Sequence, residues 1–292
     1  MGSSIGWNGE GFIMPELLDM FGYAFMQRAF LAGLVLGAVI PLVGVTVVLK
    51  RLSMIGDALS HASLAGVAAG LIGGINPVAG ASAACIIAAF CIEGIRTRLA
   101  GRADLAIAIV MAAGVGLAGV LSGFVPNSST FSSFLFGSIV TVDDAELYTV
   151  IAVGVAVGAF CLLFSRELFW VTLDERAARL AGVRVAAVNA AFILVCALTV
   201  SIAARTVGAL IVSAMMTVPV ACALAVARSW RQTRIVACSV GVSSVVAGLA
   251  VSYVFGLKPG GTIVLLEIAI LVALLVARAA AHRFGRCADA KR

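Results

Sequence analysis

Apolar runs of about twenty residues follow one another along most of this chain, separated by short polar or charged stretches. A helix rising about 1.5 Å per residue needs a run of that length to cross a hydrocarbon core about 30 Å thick. Lipid offers no partners to backbone N–H and C=O groups, so such runs cross as helices that satisfy their own hydrogen bonds. With 62% of its 292 residues hydrophobic and 12% charged, the chain also lacks the polar surface to enclose a soluble core. The sequence therefore specifies an all-α polytopic membrane protein with about nine transmembrane helices.

The predicted spans cover about 23–49, 53–74, 78–95, 103–124, 147–164, 185–204, 207–227, 235–255 and 262–281. Residues 1–22 place Trp7, Phe12 and Phe21 among Glu10, Glu16 and Asp19, which suits an interfacial extracytoplasmic segment. They lack the charged n-region and apolar h-region of a signal peptide. Residues 282–292 form a basic tail. Turn signals at Gly73-Gly74-Ile75-Asn76-Pro77 and at Gly256 to Gly261 reverse the chain, and Arg205 and Thr206 alone separate the sixth span from the seventh. Pro219 is placed to kink the seventh.

When alternate loops are assigned to opposite sides, 17 of the 20 basic residues fall on one side, leaving Arg28, Arg205 and Lys258 on the other. The positive-inside rule makes the crowded side cytoplasmic, with the N-terminus outside and the C-terminus inside. This scatter of basic residues is an orientation signal rather than a nucleic-acid patch, whatever the net charge of +6 suggests. Small-xxx-small pairs at Gly33 and Gly37, Gly66 and Gly70, Gly70 and Gly74, and Gly154 and Gly158 mark close helix packing.

Inside the second span Asp57 and His61 stand four residues apart, on one face of a helix. A carboxylate and an imidazole so placed can hold a divalent metal, and ionisable groups at membrane depth are costly enough to point to function. The blander alternative is that Asp57 orients His61 and both bond to neighbouring helices. Taking Ser53 as the helix start puts the pair roughly 6 and 12 Å into the core. Glu267 is a second intramembrane carboxylate, equally readable as a path residue or as a pairing residue. Seven cysteines form no CxxC pair and read as small buried apolar residues, with Cys222 the one candidate soft ligand. Glu93 and Arg96 read as an interface ion pair.

Two further stretches stand out. In residues 126–146 the apolar centre, with Phe131, Phe134, Phe136 and Gly137, is too short to cross and reads as a re-entrant or interfacial helix. In residues 166–184, Thr172 or Asp174 caps a short helix carrying Glu175, Arg176, Ala178, Arg179 and Leu180, which Gly182 stops. No G-x-x-x-x-G-K-[ST] motif occurs, so any energy source must be supplied by another polypeptide or an ion gradient.

FMQRAFLAG, VVLKRLSMIGDALSHASLAGV, SSFLFGSIVTVDD, RELFWVTLDERAARLAGV, VGALIVSAMMTVPVACA and GLKPGGTIVLL occur in order along the chain. In these it resembles the membrane subunit, or permease, of bacterial ABC importers for zinc, manganese or ferrous iron. The resemblance implies a homodimer of permeases in the cytoplasmic membrane, two cytoplasmic ATPase subunits and an extracytoplasmic metal-binding protein. It implies no permanently bound cofactor, the metal being cargo, and no enzyme activity in this chain. It implies that Asp57 and His61 line the path, with Glu267 and Cys222 as further candidates. It places the outer gate at Phe131, Phe134, Phe136 and Gly137, and a coupling helix at Asp174, Glu175, Arg176, Ala178, Arg179 and Gly182. The stretch HASLAGVAAG and the Gly-Ile-Asn-Pro turn lean toward zinc. Many relatives carry Leu-Pro-Gly where this chain has Leu64-Ala65-Gly66, which predicts a less kinked second helix.

Competing readings are a secondary transporter or channel with Asp57, His61 and Glu267 as a proton relay, a vitamin B12 or siderophore permease, and a membrane scaffold. The first predicts transport without an ATPase. The second needs a path free of metal ligands, and the third leaves the intramembrane carboxylates unexplained.

Overall fold

The structure is a computed structural model that describes residues 22–99, 102–125, 131, 134–135, 137, 139 and 142–289, with side chains through 280. Every regular element among them is helical: α1 (Ala24–Leu49), α2 (Ile55–Ile72), α3 (Pro77–Arg98), α4 (Ala103–Ser122), α5 (Asp144–Leu163), α6 (Ser165–Leu173), α7 (Glu175–Leu180), α8 (Val185–Ala203), α9 (Ala209–Val226), α10 (Trp230–Phe255) and α11 (Pro259–Asp289). A π-turn, Ala204–Gly208, joins α8 to α9.

Eight helical stretches among the described residues are long and apolar enough to cross a membrane, and one of them, Val185–Val226, has 42 residues. A straight helix of that length would reach about 63 Å, twice the hydrocarbon core. The packing shows instead that it crosses twice. Near its start Asn189 bonds Lys50, at the end of α1; near its middle Arg205 pairs with Glu146, at the start of α5. Val220 and Ala223 then return to Val45, close to Lys50. Gly208, at φ 109, takes a backbone conformation open to glycine and makes the reversal. The two faces of the bundle are thus a Lys50 end and an Arg205 end, and the described helices alternate between them, nine times if Val185–Val226 is counted as two passages, close to the number the apolar runs suggest.

Local chemistry sets the helix ends. Asn76 accepts from Val78 N with Pro77 at the first helical position of α3, Asp143 accepts from Glu146 N, and Ser229 accepts from Gln232 N. Gly256, at φ 63, ends α10 in the left-handed conformation. The structure extends α10 back to Trp230 and α11 on to Asp289, into what the sequence offers as loop and tail. The first carries Arg231, Gln232 and Arg234 and the second Arg283, Arg286 and Ala288, residues that prolong a helix once the adjoining span has nucleated it.

Helices touch where glycine lets backbones meet. A Cβ at Gly66 would lie 2.3 Å from Gly80 O of α3, and one at Gly241 would lie 2.3 Å from Gly37 O of α1. Gly158 and Gly74 have nothing within 4 Å of such a Cβ, so the pairs at 154 and 158 and at 70 and 74 are only half packing contacts. Between helices, Cys85 Sγ donates to Leu59 O, Cys238 Sγ to Ala38 O, and the Ser82 and Ser201 hydroxyls meet at 3.2 Å. Cys85, Cys161, Cys196 and Cys222 are free and buried as expected and Cys238 is half-buried, whereas Cys91 is exposed; the Cys287 side chain lies outside those described. Residues 1–21 and 290–292 lie outside the described residues.

Candidate functional site

The candidate metal pair stands on α2, which is enclosed by α3, α4, α8 and α9. It runs unbroken from Ile55 to Ile72 with Ala65 buried, as expected without proline. Because it starts at Ile55 rather than Ser53, Asp57 and His61 lie about 3 and 9 Å along it, nearer the Lys50 end than the sequence suggests. Asp57 is the third helical residue, where a carboxylate faces the orphan N–H groups of the first turn. Gly114 of α4 brings its backbone against the His61–Ala62 peptide, and Gly56 packs on Ser213 and Met216 of α9. Both side chains of the pair are half-buried. Neither has a hydrogen bond or ion pair among the described residues.

Glu267 is fully buried, with Oε1 3.2 Å from the Ser244 hydroxyl of α10 and Oε2 without a hydrogen-bond partner. Cys222 of α9, also fully buried, is within electrostatic reach. No group of three or more His, Cys, Asp and Glu side chains among the described residues gathers to hold a metal, so neither Glu267 nor Cys222 joins Asp57 and His61 in such a group within one chain. One carboxylate and one imidazole are fewer than the roughly four ligands zinc takes.

At the Lys50 end, Asp174, rather than Thr172, caps α7 by accepting from Arg176 N and Ala177 N. Gly182 follows at φ 84. Arg176, Arg179 and Leu180 are exposed, with Leu180 at 91%. Ala178 is fully buried against Val171 and Val185, so it seats the helix on its own chain. Glu175 also turns inward, bonding Arg96 and Asn189. Burial alone would raise its carboxyl, but the Asn189 hydrogen bond and the Arg96 charge hold it below the usual range. Burial pushes the Lys50 ammonium down to about 8 despite the attraction of Glu175. Sequence reasoning placed Glu93 and Arg96 at this interface but missed Lys50 and Asn189, whose partners are distant in the chain. It also missed α6, whose Leu168 and Val171 are buried beneath exposed Trp170 and Leu173.

At the Arg205 end, Phe134 is buried and Phe131 half-buried. Arg205 stacks over the Phe134 ring at 5.0 Å while pairing with Glu146. Gly137, at φ 66, is so close to the π-turn that a Cβ there would lie 2.2 Å from Val207 C. Phe136 lies outside the described residues. At the same end a cavity of about 510 Å³ is lined by residues that include Asn76, Asp143, Glu146, Thr149, Arg205 and Thr206.

The profile of the ABC 3 transport family matches residues 22–278. A protein of Treponema pallidum (strain Nichols) described as a probable metal transport system membrane protein is 34% identical over 88% of this chain and 96% of its own. The manganese import system permease protein ScaB of Streptococcus parasanguinis is 32% identical over 87% of this chain and 91% of its own. The solved structure of PsaBC from Streptococcus pneumoniae in complex with Fab superposes with a TM-score of 0.80 at 28% identity, covering 90% of this chain and 95% of that one. Matched in sequence over nearly its whole length and in the arrangement of its crossings, the chain belongs to the ABC 3 transport family, as a membrane permease subunit.

Proposed function

We propose that this permease carries a divalent transition metal inward across a bacterial cytoplasmic membrane, driven by a separate ATPase. The observation that carries the reading is the half-buried Asp57 and His61 pair, unpartnered inside a span that other helices enclose. Two copies related by a two-fold axis beside α2 bring two carboxylates and two imidazoles together, a set that suits a transiently held cation. The similarity to the manganese import permease ScaB favours manganese. Zinc is the second reading, favoured by the imidazole donors and the lean of the sequence toward zinc members; water filling extra positions lets the same donors take manganese or ferrous iron.

The exposed side of α7 is the surface offered to the ATPase, and the Arg205 end receives metal from an extracytoplasmic binding protein through the mouth that Phe131, Phe134 and Gly137 close. The basic Lys50 end is cytoplasmic on the same reading. Cellular manganese, zinc and iron, measured with and without the chain, assign the metal. Asp57→Ala and His61→Ala are each expected to abolish uptake while the permease still assembles with its ATPase. Normal uptake by either variant moves the path away from α2 and makes Glu267 the next residue to substitute.

A further inference from the structure

Glu175 opens α7, yet its carboxylate turns back into the bundle. Its Oε1 accepts from Arg96 Nη1 of α3 at 3.3 Å and from Asn189 Nδ2 of α8 at 3.1 Å. Glu93 grips the far edge of that guanidinium with two bonds of 2.8 Å, which fixes where Nη1 points. Among the described residues Glu175 is the one polar side chain of α7 bonded to another element. The other attachment is apolar, through Ala178, and apolar contacts tolerate sliding that directional bonds do not.

Asn189, 3% exposed, is a two-sided joint. Its amide nitrogen donates to Glu175 and its carbonyl oxygen accepts from Lys50 Nζ, so one orientation of the amide satisfies both neighbours. Lys50 terminates α1, with its ammonium 5.5 Å over the Phe192 ring. Arg51 follows at φ 59, a left-handed conformation costly for a non-glycine residue, and makes the turn that leads into α2. The start of the helix that bears Asp57 and His61 is thus fixed to the same residue that Asn189 holds.

We infer that Asn189 is a positioning residue that transmits displacement of α7 through Lys50 to the head of α2, so that movement at the cytoplasmic face reaches the Asp57–His61 pair. The inference rests on the reading of α7 as the ATPase-docking helix. Its mechanical content is a chain of directional bonds joining three elements, α7, α8 and α1.

Asn189→Asp separates the two sides of the joint: the carboxylate still accepts from Lys50 but no longer donates to Glu175 and repels it. The test uses the full transporter reconstituted with its ATPase and with its binding protein loaded with Mn2+. The variant is expected to retain the ATPase and its basal hydrolysis, while metal moved per ATP falls by roughly ten-fold. Adding Glu175→Gln restores a donor and an acceptor with reversed polarity, and is expected to return most of the lost ratio. A wild-type ratio in Asn189→Asp, or no rescue in the double variant, overturns the inference. Loss of the ATPase from the Asn189→Asp complex overturns it as well, because Asn189 then acts on seating alone. Should Asn189→Asp not accumulate in membranes, Lys50→Met, which has no donor, cuts the same chain from the α1 side and is read by the same ratio. Arg179→Glu, on the exposed side of α7, keeps the two readings apart: if it leaves the ATPase bound, the docking assignment fails independently of the linkage.

Discussion

Lys50 shows how much a single residue depends on its surroundings. In the unfolded chain its ammonium titrates near its ordinary value of 10.5, and burial at the end of α1 lowers this to about 8. Between those values the unfolded state binds more protons than the folded one, so this group makes stability rise with pH through that window and fall again as pH drops through about 8. Thermal unfolding of the purified permease, followed from pH 7 to pH 10, is expected to show the wild type gaining on Lys50→Gln as pH rises. A constant difference between the two would mean that Lys50 keeps its ordinary proton affinity. Nothing in the sequence foretold this. Lys50 is one of two basic residues closing a span, and Asn189, which bonds it, lies 139 residues away near the start of another. Asp57 and His61 were legible for the opposite reason: their meaning lies in a four-residue spacing within one helix.

At the scale of elements, helix identity was legible because lipid imposes both the length and the conformation of a span. Helix ends were less so: the turn at Arg205 and Thr206 was legible, though not its π form, and α6 was missed because its burial depends on neighbours that periodicity does not name. The glycine pairs divide in the same way. Gly66 meets α3 backbone, whereas Gly119 of α4 has nothing within 4 Å of an added Cβ. Gly66→Ala drives a methyl into the Gly80 carbonyl and is expected to cost about 1 to 3 kcal/mol, as overpacking does. Gly119→Ala meets no obstacle and is expected to be neutral or to stabilise α4 by up to about 1 kcal/mol through helix propensity. Unfolding midpoints of the two variants in detergent check both signs, and equal effects would refute the contact. In α7 the same logic separates seating from docking. Ala178→Trp puts an indole into a site closed by Val171 and Val185, so it is expected to displace the whole helix and lower both ATPase retention and uptake. Leu180→Ala removes only an exposed side chain and is expected to weaken ATPase retention with no loss of permease from the membrane. If Ala178→Trp leaves retention unchanged, α7 is not held by that cluster.

At the scale of the whole molecule, the bundle has two chemically unlike ends. The Lys50 end gathers the Arg96–Glu93–Glu175 network, α6, α7 and the Trp230 and Arg234 stack. At the Arg205 end Arg28 and Arg205 are each paired with a carboxylate at the start of α5, Asp144 and Glu146. Ion pairs occur at both ends, so the contrast lies in the larger number of Lys and Arg residues at the Lys50 end. That contrast sets orientation, since cytoplasmic loops retain Lys and Arg during insertion. Ala145, exposed at the Arg205 end, and Arg231, exposed at the Lys50 end, read the orientation out directly. With single cysteines introduced at each in turn, a membrane-impermeant maleimide added to intact cells is expected to label Ala145→Cys and to spare Arg231→Cys until the membrane is opened. The reverse pattern would put α7 outside, away from any cytoplasmic ATPase, and would remove the docking assignment and the Asn189 linkage together while leaving the fold and family untouched. Labelling of both positions from outside would contradict the reversal at Gly208, because the two residues are separated by α5, α8 and α9, an odd number of crossings, only if Val185–Val226 crosses twice.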